Sequence, residues 1–135
     1  MEHTVYLGLG SNLGDKERNI LAAIDRIGEE VGAIVRRSSF LVTEPWGFSS
    51  ENTFVNAAVR VKTEKTPAEV LRATQQIECE MGRTVKSVSG EYHDRNIDID
   101  ILLYDDIRMS TEELTIPHPL MYERDFVMTP LGEIL

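Results

Sequence analysis

The sequence predicts an α+β fold of the ferredoxin-like kind, a split βαβ arrangement with helices on an antiparallel sheet, over a single domain spanning 1–135. Three observations predict it. The hydrophobic periodicity runs strand, helix, strand, strand, helix, strand along the chain. Both helical stretches carry their own start and stop signals. The length, 135 residues with 41% hydrophobic content, suits one modest core and no more.

Residues 4–10 read as the first strand. Ile20, Ala23, Ile24, Ile27 and Val31 then recur at helical spacing, predicting a helix over about 15–31 capped by Asp15 and stopped by Gly32. Ile34 to Thr43 and Thr53 to Lys62 are strand-like. Thr66-Pro67-Ala68-Glu69 is a helix start: Thr caps, Pro occupies the first turn, and Glu reaches back. Val70, Ala73, Ile77 and Met81 form that helix's inner stripe, with Gly82 after it. A strand at 97–104 and a short hairpin at about 107–116 complete the order, with both helices expected on one face of the sheet.

The most telling stretch is Arg95-Asn96-Ile97-Asp98-Ile99-Asp100-Ile101-Leu102-Leu103-Tyr104. Ile97, Ile99, Ile101 and Leu103 alternate with Asp98, Asp100, Leu102 and Tyr104, so both acids project to one side. At a Cα separation of roughly 7 Å the two carboxylates repel by about 2.5 kcal/mol at an effective dielectric near 20. A cation between them removes that cost. Mg²⁺ suits such a pair, because it takes one or two carboxylates and completes its octahedron with water and phosphates. A merely solvated acidic face is the alternative for Asp-x-Asp alone.

The formal charge of −9, without long basic stripes, argues against a nucleic-acid surface. Cys79 is the single cysteine, which excludes an internal disulfide and a cysteine-built metal site; a small core residue is expected there. Met1-Glu2-His3-Thr4 is not a signal sequence, and no apolar run reaches membrane-spanning length. A cytoplasmic monomer without a membrane partner is the expectation.

Gly8-Leu9-Gly10-Ser11-Asn12-Leu13-Gly14 follows a strand and precedes a helix, but its glycine spacing is wrong for a dinucleotide fingerprint, and no Gly-Lys pair supports a Walker loop. The glycines read as a tight strand-to-helix turn. Phe54 and Asn56 share one strand face opposite Val55, Ala57, Val59 and Val61, a pairing that suits a flat ligand taking paired hydrogen bonds. Edge packing is the plainer reading of the two. Arg83, Lys86, Arg95 and Arg124 are forked or point cations suited to phosphate. Trp46 and Phe126 serve equally as ligand walls or core satellites. His118 stands in the stiff turn Pro117-His118-Pro119. The segments 44–52 and 83–96 are unusually furnished for connectors, as binding loops are.

These segments in this order resemble the 6-hydroxymethyl-7,8-dihydropterin pyrophosphokinase family of folate biosynthesis. The resemblance is carried by Gly8 to Gly14, Thr43-Glu44-Pro45-Trp46-Gly47, Phe54-Val55-Asn56-Ala57, Gln75 through Glu78 to Gly82-Arg83, Arg95 to Ile101, Ile116-Pro117-His118-Pro119 and Arg124-Asp125-Phe126. It implies transfer of the β,γ-pyrophosphoryl group of ATP to the pterin hydroxymethyl oxygen, releasing AMP. It further implies that Asp98 and Asp100 hold two Mg²⁺ ions and that Arg83 and Arg95 stabilise charge in catalysis. Arg83, Arg95, His118 and Arg124 would contact phosphates, while Gln75, Glu78, Ile101 and Thr115 line the nucleotide site. Thr43, Pro45, Trp46 and Asn56 would hold the pterin between Phe54 and Phe126, with Tyr92 closing over it.

Two departures thin the implied cationic clamp. Val85-Lys86 stands where some relatives have an arginine, and Glu113 where some have a basic residue. A ligand-binding module indifferent to Mg²⁺ and a nucleotide-sugar transferase using Asp-x-Asp are the competing classes.

Overall fold

The structure, a computed structural model, describes residues 2–43, 53–81 and 97–135. β1 (His3–Ser11) runs antiparallel between β4 (Phe54–Thr63) and β5 (Asp98–Tyr104), and β2 (Ala33–Arg37) pairs with β4 beyond them. The resulting order β2-β4-β1-β5 is that of the split βαβ arrangement, with β5 on the outside. β3 (Leu41–Thr43) continues along the same flank of β4 as β2. A hairpin of β6 (Met109–Ser110) and β7 (Thr115–Ile116) follows. No helix among the described residues is long and apolar enough to cross a membrane.

Helix α1 (Lys16–Glu30) starts where Asp15 accepts from the Arg18 amide, and buries Ile20, Ala23, Ile24 and Ile27. Gly32 follows because β4 passes so close: a Cβ there would lie 2.0 Å from the Lys62 carbonyl oxygen. Helix α2 (Pro67–Glu80) opens with the full capping box, Thr66 and Glu69 each accepting from the other's amide. Its buried residues are Val70, Thr74, Ile77 and Glu78, whereas Ala73 is only partly covered. Cys79 is exposed rather than in the core, because the inner stripe passes through its neighbours Ile77 and Glu78. Both helices cover one sheet face, where Val5, Leu7, Leu9, Val55, Ala57, Val59, Val61, Ile97, Ile99 and Ile101 meet them.

Three further readings need correction. The expected strand from Ile34 to Thr43 is broken in two, because the Ser38 hydroxyl, not a backbone carbonyl, accepts from the Ala58 amide at 2.8 Å. Gly8 and Gly10 are strand residues within β1; only Gly14, at φ +67°, makes the turn. The alternation in β5 reverses at a bulge, since Leu7 pairs with Ile101 but the next residue back, Tyr6, pairs with Leu103. Leu102 is the extra residue. Past it, Tyr104 turns inward to the helix-covered core, while Leu102 and Leu103 face the other side.

That other side is covered by α3 (Asp125–Ile134), a helix the sequence pattern did not suggest. Leu131 and Ile134 close over Ala58 and Leu102, with Met121 from the preceding 3₁₀ turn. Its last turn also grips the β2–β3 connector: Ser39 donates its amide and hydroxyl to the Glu133 carboxylate at 2.8 and 2.9 Å. This second core occupies one end of the face. The other end holds the polar residues considered next.

Candidate active site

Directly paired residues of antiparallel strands project from the same face. Gly10 pairs with Asp98 on one side and Asn56 on the other, and Gly8 pairs with Asp100 and Ala58. Asp98 and Asp100 are both half-buried and share the face opposite Ile97, Ile99 and Ile101. The two glycines leave a floor without side chains between the acids and the residues of β4. A Cβ on Gly10 would lie 3.0 Å from Asn56 Oδ1 and 3.6 Å from Phe54 Cδ1, so the carboxamide and the ring lean over that floor. On Gly8 it would meet Leu102 Cδ1 at 3.3 Å, where the α3-covered core begins. Thr43 pairs with Phe54 through the β3–β4 ladder, which brings the end of β3 to the same place.

The Ile116–Pro117 bond is cis, and the His118 amide donates to the carbonyl of the bulged Leu102 at 3.1 Å. The bulge thus fixes where the histidine enters. The Leu120 amide donates to His118 Nδ1 at 3.3 Å, so in the neutral ring the proton sits on Nε2, a donor suited to a phosphate oxygen. Burial pushes the imidazole below its ordinary value, with the Asp98 carboxylate pulling the other way. Arg124, just before α3, is 3% exposed, and its Cζ lies 5.7 Å from the centre of the Phe126 ring. Burial lowers its pKa as well, yet a guanidinium keeps its charge.

The outer edge of β5 faces α2. There Glu78, 6% exposed, accepts the Ile99 amide on Oε2 at 2.7 Å. Ile101, two residues on, turns its backbone polar groups the same way. Ala68, Leu71, Gln75 and Glu78 fall on one stripe of α2. At the far end of this stripe an open apolar slot of about 410 Å³ lies between Ala68, Leu71, Met109 and Leu114, next to Thr115. From Glu78 to Leu71 the helix rises about 10 Å, close to the reach of a nucleotide from base to phosphates. Glu112 and Glu113 also line the slot, so the residue at 113 adds negative charge there.

The structure therefore gathers Asp98, Asp100, Phe54 and Asn56 on one floor, with His118 in electrostatic reach of Asp98. Gln75, Glu78, Ile101 and Thr115 lie along the neighbouring edge. Pro45, Trp46, Arg83, Lys86, Tyr92 and Arg95 fall outside the described residues. Sequence reasoning missed the floor itself. The signal was present in Val5, Leu7 and Leu9, whose alternation puts Gly8 and Gly10 on the opposite face. Among the described residues no group of three or more His, Cys, Asp or Glu gathers to hold a metal. A pair of carboxylates with room beside it fits Mg²⁺, whose remaining positions go to water and phosphate.

The chain matches the 7,8-dihydro-6-hydroxymethylpterin-pyrophosphokinase (HPPK) family over residues 6–135. It belongs to that family. The HPPK chain is 49% identical over 131 residues to a 2-amino-4-hydroxy-6-hydroxymethyldihydropteridine pyrophosphokinase of Porphyromonas gingivalis, covering 96% of this chain and 89% of that protein. A Bacillus subtilis protein of the same name is 42% identical over 135 residues, 99% of this chain and 79% of its own length. Among solved structures, an HPPK-DHPS in complex with substrates superposes with a TM-score of 0.77 at 14% identity, covering 98% of this chain. A Plasmodium falciparum HPPK-DHPS gives 0.72 at 17%, covering 95%. The HPPK chain spans only 40% of either of those longer chains, and at such identities the likeness establishes the fold.

Proposed function

We propose that this protein transfers the β,γ-pyrophosphoryl group of ATP to the hydroxymethyl oxygen of 6-hydroxymethyl-7,8-dihydropterin, releasing AMP, as a step of folate biosynthesis. One observation carries the reading: paired acids, a side-chain-free floor, and an aromatic-carboxamide pair stand side by side on one sheet face. Acids suited to metal-bound triphosphate thus adjoin a wall suited to a flat heterocycle. In the reaction the pterin oxygen forms a bond to the β-phosphorus, the bond from that phosphorus to the α-phosphate oxygen breaks, and the hydroxyl proton is lost.

The chain's own residues contribute position and charge, which dominate phosphoryl-type transfer. Asn56 takes hydrogen bonds from the pterin edge; Phe54 and Phe126 flank its ring; Thr43, Pro45 and Trp46 complete that pocket. Gln75, Ile101 and Thr115 hold the nucleoside, with the base toward Leu71 and Leu114, and Glu78 lines the same site beside the Ile99 amide. His118 donates from Nε2 to a phosphate oxygen, Arg124 adds its charge, and Arg83 and Arg95 stabilise charge on the breaking bond. Asp98 and Asp100 would hold two Mg²⁺ ions, which when bound neutralise the triphosphate and acidify the pterin hydroxyl. The reading takes residues 1–135 as one domain, monomeric and cytoplasmic, acting on small molecules alone.

Incubation with ATP, Mg²⁺ and the hydroxymethyl pterin tests it. The expected products are AMP and the pterin diphosphate ester in equal amounts. Release of ADP, or AMP formation indifferent to the pterin, overturns the assignment.

A further inference from the structure

An outer strand presents every second amide to solvent, where nothing fixes the peptide plane. β5 is such a strand, yet the Ile99 amide is held by a buried carboxylate from another element. Its place is specific, because Ile99 separates Asp98 from Asp100, and the captured N–H belongs to the peptide joining Asp98 to Ile99. Fixing that plane fixes the direction in which the Asp98 side chain leaves the strand, and with it the spacing to Asp100. The other side of the same stretch is tied to β1 through the pairs Gly10–Asp98 and Gly8–Asp100. Those two pairs involve glycines, which offer no side chains to buttress the acids. Glu78 itself comes from a rigid support: Ile77 and Val70 are fully buried and the capping box sets where α2 begins. Burying a carboxylate is costly unless it is hydrogen-bonded, and the Ile99 amide supplies such a bond to Glu78 at 2.7 Å.

We propose that Glu78 is a positioning residue for the Asp98–Asp100 pair, acting through the Ile99 amide to hold the two carboxylates at cation-binding spacing. It rests on the reading of those acids as metal carboxylates. Outer-sphere groups that orient ligands in this manner are worth about 10–100-fold in metal affinity.

The test compares wild type with E78Q, which keeps an acceptor and loses the charge, and E78D, which keeps the charge and withdraws the acceptor by one methylene. Ile99 amide exchange is followed by NMR, and Mg²⁺ binding in the presence of ATP by calorimetry. E78Q is expected to retain Ile99 protection and to bind Mg²⁺ within about threefold of wild type. E78D is expected to lose the protection and to bind Mg²⁺ about tenfold or more weakly. Wild-type Mg²⁺ affinity in E78D despite lost protection overturns the proposal, as does E78Q weakened as much as E78D. A wild type that binds Mg²⁺ with ATP but forms no AMP overturns the proposed activity and leaves this brace standing. A wild type whose ATP binding ignores Mg²⁺ overturns the brace.

Discussion

The glycine floor makes a sharp prediction, because two neighbouring positions on one strand should respond differently to the same methyl group. In Gly10→Ala the new Cβ sits 3.0 Å from Asn56 Oδ1, so the carboxamide must retreat by a few tenths of an ångström. Asn56 is only 5% exposed and has little room to do so. Overpacking of this kind costs about 1–3 kcal/mol, offset by about 0.4–1 kcal/mol from the stiffer unfolded chain. The overlap wins, leaving a net loss on the order of 1–2 kcal/mol. In Gly8→Ala the methyl meets the Leu102 side chain at 3.3 Å, and Leu102 is 1% exposed, so this variant also loses stability but leaves Asn56 where it is. Urea denaturation of both variants measures these losses. Calorimetric titration with the hydroxymethyl pterin, ATP and Mg²⁺ present, measures the functional half. Displacing Asn56 should weaken pterin binding about tenfold or more, equivalent to at least about 1.4 kcal/mol. ATP binding should change little. If Gly10→Ala matches Gly8→Ala in pterin affinity, Asn56 and Phe54 do not overhang the floor and the placement of the pterin is wrong.

Asp98→Asn should leave the urea midpoint within the usual surface-mutation range while removing AMP formation; near-normal turnover would end the metal assignment. His118 is held neutral by burial, its native pKa below the ordinary 6.5. Its contribution to stability is therefore present above that value and lost as pH falls through it toward the native pKa. Between pH 7 and 5.5 wild type should lose more stability than His118→Gln, and parallel pH profiles of the unfolding free energy would contradict the buried neutral ring. Tyr104→Phe should cost about 1–2 kcal/mol, because the hydroxyl donates to the Lys65 carbonyl at 2.5 Å from a side chain 1% exposed. A neutral effect on the thermal midpoint would mean Tyr104 lies outside the core and β5 has no bulge.

Period and capping made the first sheet face readable from sequence. Ile20 through Ile27 and the Thr66 capping box need only local spacing, and local spacing survives in a linear string. What escaped depends on partners distant in the chain. The break after Arg37 arises because a hydroxyl from Ser38 replaces a carbonyl opposite Ala58. The bulge at Leu102 shows only against the register of β1. Helix α3 carries Pro130 within it and Gly132 near its end, residues that argue against a helix. It forms because Leu131 and Ile134 have an uncovered sheet face to occupy. In the site, the acids and the Phe54–Asn56 pair were legible because strand alternation fixes which side they face. The role of Glu78 was not: its acceptor bond runs to an amide 21 positions away, and nothing in a helical wheel announces that.

The extra residue in β5 lets one strand speak to two interiors in turn. Before it, isoleucines meet the paired helices and acids meet the substrate side; after it, the assignments are exchanged. Losing Ile99 would make the two acids neighbours and set them on opposite faces, one of them against hydrocarbon, while losing Leu102 would only restore plain alternation, with the acids outward and Tyr104 still inward. Of the seven residues in this strand, the acids thus tolerate a shortening at the one position where the chain already carries a residue to spare.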